Sequence, residues 1–109
     1  MRTAEQTIGA FCEQVAASTP APGGGAVSAV AGALGASLVS MVAGLTRGRE
    51  KYREVEADMA AAQEAGGRES AALLDLADRD QAAFNQVMAA FALPKATAEE
   101  KAERRKVVQ

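Results

Sequence analysis

No histidine occurs anywhere in the chain, and that absence removes more chemistry than any other feature of the sequence. Ser-His-Asp and Cys-His triads and histidine-based zinc sites are excluded, so proton transfer near neutral pH must use Asp, Glu, Lys, Tyr or bound water. A single cysteine, Cys12, rules out an internal disulfide. Its place among Ile8, Phe11 and Val15 at helical spacing predicts a buried, inert thiol. Aromatic residues make up only 4% of the chain against 49% hydrophobic residues, so the apolar surface comes from Ala, Val, Leu and Met. That composition favours closely packed helices over strands and predicts an all-α protein. A basic excess is also missing: the formal charge is −2, which disfavours a nucleic-acid partner. Neither G-x-G-x-x-G nor G-x-x-x-x-G-K-[ST] can be written on the chain, so no nucleotide fingerprint is present. The segment MRTAEQTIGAF lacks the continuous apolar core of a signal peptide, which makes a cytoplasmic location the expectation.

What is present is concentrated between Ser18 and Leu45. The turn STPAPGGG runs directly into about twenty uncharged residues rich in Ala, Gly, Ser and Val. Pro20 and Pro22 hold φ near −65° and push their predecessors toward extended geometry, while Gly23, Gly24 and Gly25 leave the backbone bare. A helix that begins there directs unpaired N–H donors, and the positive end of its dipole, into that bare loop. Such a place suits a carboxylate, a phosphate or the polar edge of a heterocycle. The alternative is a loop that only caps the helix and permits close packing.

At 109 residues the chain is one domain, 1–109, and its periodicity gives three or four helices. Thr3 with Gln6 has the form of a capping box, and a first helix is expected from about Ala4 to Ala17. The second is expected to start inside the glycines and run to about Leu45, with Ser28, Gly32, Ala36, Ser40 and Gly44 forming a small-residue stripe that admits another backbone. Its length and lack of charge, followed by Arg47, Arg49, Lys51 and Arg53, fit a single-pass membrane helix as well as the central helix of a bundle, and periodicity alone does not separate the two. From Arg49 to Leu93 a three-four repeat predicts a long amphipathic helix, with a kink or break at Gly66-Gly67 and a stop at Pro94. Thr97 with Glu100 opens a further capped helix that is unfinished at Gln109, so the chain reads as a fragment of a longer domain.

Asp80 is the anomaly of the long helix. It lies seven after Leu73, three after Ala77 and four before Phe84, on the face expected to be buried, whereas Asp75 and Asp78 read as solvated. A carboxylate on a packing seam must be paired, hydrogen-bonded or protonated, so Asp80 is either a structural ion pair or a functional group. Asn85 and Gln81 are possible hydrogen-bond partners, with Gln81 more simply read as a surface amide.

Together the residues Phe11 to Ser18, the turn TPAPGGGAV, the stretch AGALGASLVSMVAGLT, the pair Lys51-Tyr52, the pattern Asp80-x-x-Ala83-Phe84-Asn85-x-Val87-Met88 and Leu93-Pro94-Lys95 resemble the cyclodeaminase/cyclohydrolase family. Members of that family are about twice this length, in keeping with an N-terminal fragment. The resemblance implies an up-and-down helical bundle that dimerises, with no membrane span, and a folate substrate. The implied reactions are closure of 5-formiminotetrahydrofolate with ammonia release, or hydrolysis of 5,10-methenyltetrahydrofolate, both at the carbon between N5 and N10 and neither needing a metal or a cofactor beyond the folate. Asp80, as a desolvated carboxylate, and Lys51 are then the candidate catalytic residues. Ser18, Pro22, Gly23, Gly24, Gly25, Tyr52 and Asn85 are the candidate substrate contacts. An exposed lysine at a helix start is the simpler reading of Lys51. The alternative for the whole chain is a catalytically silent helical dimerisation module built on the same scaffold.

Overall fold

In a computed structural model of the chain, which describes residues 1–91, every regular element is helical. A 3-10 turn at Thr3–Glu5 precedes the short helix α1 (Ile8–Ala16), the apolar helix α2 (Gly24–Thr46), a 3-10 segment at Glu50–Val55 and the long helix α3 (Glu56–Phe91). Helices α2 and α3 pack along their length as an antiparallel hairpin, and this pair is the body of the molecule. The all-helical, up-and-down reading holds. The stop at Pro94 and the capped helix after Thr97 lie outside the described residues.

The seam is made of small residues. Ala26, Ala33 and Ala43 of α2 and Ala77 and Ala90 of α3 are buried, Ala26 and Ala77 completely. With methyl groups in place of long side chains the two backbones come close, as the four-residue stripe on α2 predicts. A Cβ on Gly32 would meet the Leu73 side chain at 3.2 Å, and one on Gly44 would meet the Gln63 amide at 2.7 Å. Ser40 closes the contact by donating from its hydroxyl to the Gln63 carbonyl at 2.7 Å, and Ser37 and Ser70 hydroxyls lie 3.0 Å apart.

Gly66-Gly67 does not break α3, which runs unbroken from Glu56 to Phe91. The physical reason is the crossing: Gly66 is buried where the helices come closest, and a Cβ there would fall 2.7 Å from the Ala36 carbonyl and against the Ser40 hydroxyl. The helical cost of that glycine is offset by the approach it permits. The start of the long helix also differs from expectation. Residues Glu50–Val55 wind as a 3-10 segment, with Tyr52 at φ −113°, ψ 21°, and the α-helix begins only at Glu56.

Glu56 ties this turn together. Its carboxylate accepts from the Arg47 guanidinium at 2.8 Å and from the Gly48 backbone N–H at 2.8 Å. Gly48 carries φ +77°, a left-handed conformation in which a side chain would be strained. Hydrogen bonding by Arg47 and Gly48 holds the Glu56 carboxyl below its ordinary pKa.

The N-terminal segment departs most from the sequence reading. Thr7, not Thr3, caps the first α-helix, its side chain accepting from the Ala10 N–H at 3.0 Å. Thr3 is instead buried at 7% exposure, with its backbone N–H and hydroxyl both donating to one oxygen of Asp78, at 2.9 and 2.6 Å. Gln81 completes the cluster, donating to the Thr3 hydroxyl at 3.3 Å. Asp78 and Gln81 are therefore anchor points for the N-terminus rather than solvated surface groups. Helix α1 lies over a cleft of about 460 Å³ edged by Phe11, Val30, Leu34 and Leu74. Because the cleft is open, Ile8 is exposed, and Cys12, expected to be buried, is exposed as well.

Candidate functional site

The turn between α1 and α2 is built by local chemistry. Thr19 donates from its hydroxyl to the Ala21 carbonyl at 3.2 Å, the Ala21-Pro22 bond is cis, and Pro22 is buried beneath the turn. Gly23 is extended (φ −96°, ψ −172°) and occupies the N-cap of α2, where it supplies no side-chain acceptor. Its carbonyl accepts from the Val27 N–H at 3.1 Å and closes the first helical turn. The leading N–H groups of α2 thus have no side-chain cap, which is the anion-attracting arrangement expected from the glycines.

Onto this helix end α3 brings Asp80. A Cβ placed on Gly25 would fall 2.9 Å from each carboxylate oxygen and 3.0 Å from Cγ, so the carboxylate lies against the bare backbone of the first turn of α2. Only glycine leaves room for it. The negative charge beside the positive end of the α2 dipole is a favourable placement. Two groups that are 55 positions apart in the chain, 80 − 25, are thereby brought into contact.

Burial of Asp80 is the point on which the sequence reading must be corrected. The residue is exposed, because it stands at the edge of the seam opposite a helix turn that carries no side chains, and water reaches it from the loop side. It makes no ion pair among the described residues. Solvent access leaves it able to hold or orient a water molecule.

Not all candidates converge on this point. Ser18 is exposed in the same turn, and Pro22, Gly23, Gly24 and Gly25 frame the helix end. Lys51 and Tyr52 lie at the opposite end of the hairpin, since the helical rise from Glu56 to Asp80 is about 36 Å. There the Lys51 ammonium stands 5.6 Å from the centroid of the Tyr52 ring, a cation–π arrangement at the surface. Asn85 is exposed on a different side of α3, because five residues advance the helix by about 140°. Within one chain neither Lys51, Tyr52 nor Asn85 joins Asp80. The anchor Thr3–Asp78–Gln81, one turn from Asp80, was not singled out from sequence; a threonine near the N-terminus gives no signal for a contact made 75 residues away.

An all-helical hairpin with a bare, glycine-framed helix end set against a carboxylate defines the class, an all-α protein whose candidate site lies at the head of an apolar helix. Comparison with known proteins narrows the class. A formiminotransferase-cyclodeaminase family model matches residues 7–109, and the chain belongs to that family. The chain is 46% identical over 104 residues to the methenyltetrahydrofolate cyclohydrolase of Methylorubrum extorquens, covering 95% of this chain and 50% of that protein. It is 39% identical over 97 residues to the formimidoyltransferase-cyclodeaminase of Rattus norvegicus, covering 89% of this chain and 18% of that protein. Among solved structures, formiminotetrahydrofolate cyclodeaminase from Thermotoga maritima superposes with a TM-score of 0.79 at 37% identity, over 96% of this chain and 52% of that one. The chain spans about half the length of the cyclohydrolase and of the solved cyclodeaminase, and about a fifth of the formimidoyltransferase-cyclodeaminase.

Proposed function

We propose that this protein acts in folate one-carbon chemistry, at the carbon bridging N5 and N10 of tetrahydrofolate, as a methenyltetrahydrofolate cyclohydrolase or a formiminotetrahydrofolate cyclodeaminase. The observation that supports the reading is the contact of the Asp80 carboxylate with Gly25 at the uncapped head of α2. The 46% identity to a cyclohydrolase gives the hydrolytic reaction the first place to look.

In the hydrolysis, the bridging carbon carries positive charge shared with N5 and N10. Asp80 stabilises that charge, orients a water molecule toward the carbon and takes its proton as the C–O bond forms. Collapse of the tetrahedral adduct breaks the bond from carbon to N5, leaves the formyl group on N10 and returns a proton to N5. In the deamination, N10 attacks the formimino carbon and ammonia departs from the same kind of adduct. Ser18, Pro22 and the backbone of Gly23, Gly24 and Gly25 serve as substrate contacts, with N–H groups of the first α2 turn directed at an electron-rich edge of the folate. Neither reaction requires a metal, or a cofactor beyond the folate itself. Homodimeric assembly and a cytoplasmic location belong to the same reading.

The test is the absorbance decay of 5,10-methenyltetrahydrofolate in the presence of the chain, of Asp80→Asn and of Gly25→Ala. The expected result is a loss of about 10²-fold or more in rate for Asp80→Asn, the scale of a removed general base, and a marked loss for Gly25→Ala, whose Cβ displaces the carboxylate. An Asp80→Asn variant with the parent rate overturns the assignment of Asp80. A chain with no activity above the uncatalysed decay favours the silent helical module.

A further inference from the structure

Both ends of the N-terminal segment rest on one turn of α3. Thr3 meets Asp78 and Gln81, and Gly25 meets Asp80. The chain from Thr3 to Gly25, with α1 in its middle, is therefore a strap whose two attachments lie within about 4.5 Å of helical rise.

The two attachments differ in kind. Ala26, next to Gly25, and Ala77, one turn before Asp80, are completely buried, so the seam itself holds the carboxylate against the head of α2. At the other end the fastening is polar. Helix α1 buries none of its residues, and Ile8 and Val15 on its apolar side are exposed. It is the turn Thr3–Glu5, rather than α1, that packs against α3. There the Thr3 N–H and hydroxyl both donate to one oxygen of Asp78, at 2.9 and 2.6 Å, and Thr3 is 7% exposed. Bonds to an ionised carboxylate are stronger than neutral ones, and removing the acceptor leaves two buried donors unpaired.

We propose that Thr3, Asp78 and Gln81 are positioning residues for the site. They hold the strap, and with it Ser18 and the stretch that leads to Pro22, beside Asp80, and so set the affinity for substrate rather than the rate of the chemical step. The substrate in this proposal rests on the folate reading; the fastening rests on the hydrogen bonds alone. The elements between clasp and site have little slack. Thr7 caps α1, α1 is a rod of nine residues, about 14 Å long, and Pro20 and Pro22 restrict the return to α2. Freed at Thr3, the strap is tethered only at its Pro22 end, and substrate meets a complete site for only a fraction of the time. The observed affinity falls by that same fraction. Asp80 and Gly25, held by the seam, keep their contact.

The experiment uses the whole chain and three variants. Asp78→Ala removes both bonds to Thr3, Thr3→Val removes the hydroxyl and keeps the backbone donor, and Thr3→Ser keeps both. Amide exchange over residues 7–22 is expected to be fastest in Asp78→Ala, intermediate in Thr3→Val and as slow as the parent's in Thr3→Ser, with exchange along the α2–α3 seam unchanged in all three. In the 5,10-methenyltetrahydrofolate assay Asp78→Ala is expected to raise KM about tenfold, as for a strap in place a tenth of the time, with kcat within about twofold of the parent's. Thr3→Val is expected to raise KM less, and Thr3→Ser to restore the parent value. Parent-like exchange over residues 7–22 in Asp78→Ala overturns the fastening. A fall in kcat at unchanged KM, or loss of protection along the seam as well, overturns the positioning role and leaves a group that serves stability only. A parent chain without folate activity removes the functional reading alone, and the exchange pattern then decides the strap by itself.

Discussion

The adjacent glycines of α3 are expected to respond in opposite directions to the same substitution. Alanine at Gly67 meets nothing within 4 Å, so only helix propensity acts, and Gly67→Ala should stabilise by about 1 kcal/mol. Alanine at Gly66 places its Cβ 2.7 Å from the Ala36 carbonyl and 3.1 Å from the Ser40 nitrogen, both backbone atoms that no rotamer change can move. Either α2 shifts outward along the seam, or Ser40 gives up its bond to the Gln63 carbonyl. Overpacking costs about 1–3 kcal/mol, and contacts this short with backbone atoms place Gly66→Ala in the upper part of that range, about 2–3 kcal/mol, so that after the propensity gain of about 1 kcal/mol the net loss is about 1–2 kcal/mol. The two variants should therefore differ by about 2–3 kcal/mol. For a domain of this size that corresponds to a separation in Tm of about 10–20 °C. Thermal denaturation followed by far-ultraviolet circular dichroism, on parent and variants at one concentration, reads the difference directly. If Gly66→Ala raises Tm as much as Gly67→Ala does, the helices do not cross at Gly66 and the argument that a close approach explains the glycine is wrong.

Two further predictions concern the N-terminal segment. Hydrogen bonds from Thr3 hold the Asp78 carboxyl below its ordinary pKa, so the stability it contributes is fully present above the unfolded aspartate value of about 4 and is lost as pH falls through the lower, folded value. Amide exchange over residues 3–6 should rise in that acidic window in the parent, and should already be fast at neutral pH in Asp78→Asn; protection in that variant equal to the parent's would refute the anchor. Thr7→Ala removes the cap of α1 and should cost about 1 kcal/mol, read as faster exchange confined to α1. A global change in Tm with no local change in α1 would place the role of Thr7 elsewhere.

Much of this protein was legible in periodicity and punctuation. The prolines and glycines before Ala26 announced the head of α2, and an uncharged run of small residues announced a helix that packs closely, because these depend on φ restriction and side-chain volume, which are properties of single residues. The small residues at Gly32, Ala36, Ser40 and Gly44 do face α3. A local signal misled at the N-terminus: Thr3 with Gln6 has the form of a capping box, yet Thr7 caps α1 and the Thr3 hydroxyl is taken by Asp78. Similarly, Gly66-Gly67 has the composition of a break, and only the proximity of α2 shows that Gly66 is a contact.

The sequence by itself determined that this is an all-helical chain with an uncapped, glycine-framed helix end and a carboxylate placed anomalously on the long helix, since helical period and residue volume are written locally. The tertiary structure alone decided that Asp80 meets Gly25 in the open rather than in the core, that Lys51 and Tyr52 stand at the other end of the hairpin, and that Asp78 and Gln81 hold the N-terminus. Those outcomes depend on the register in which α2 and α3 pack, and that register follows from where glycines and alanines let two backbones touch, a property of the pair that neither segment carries alone.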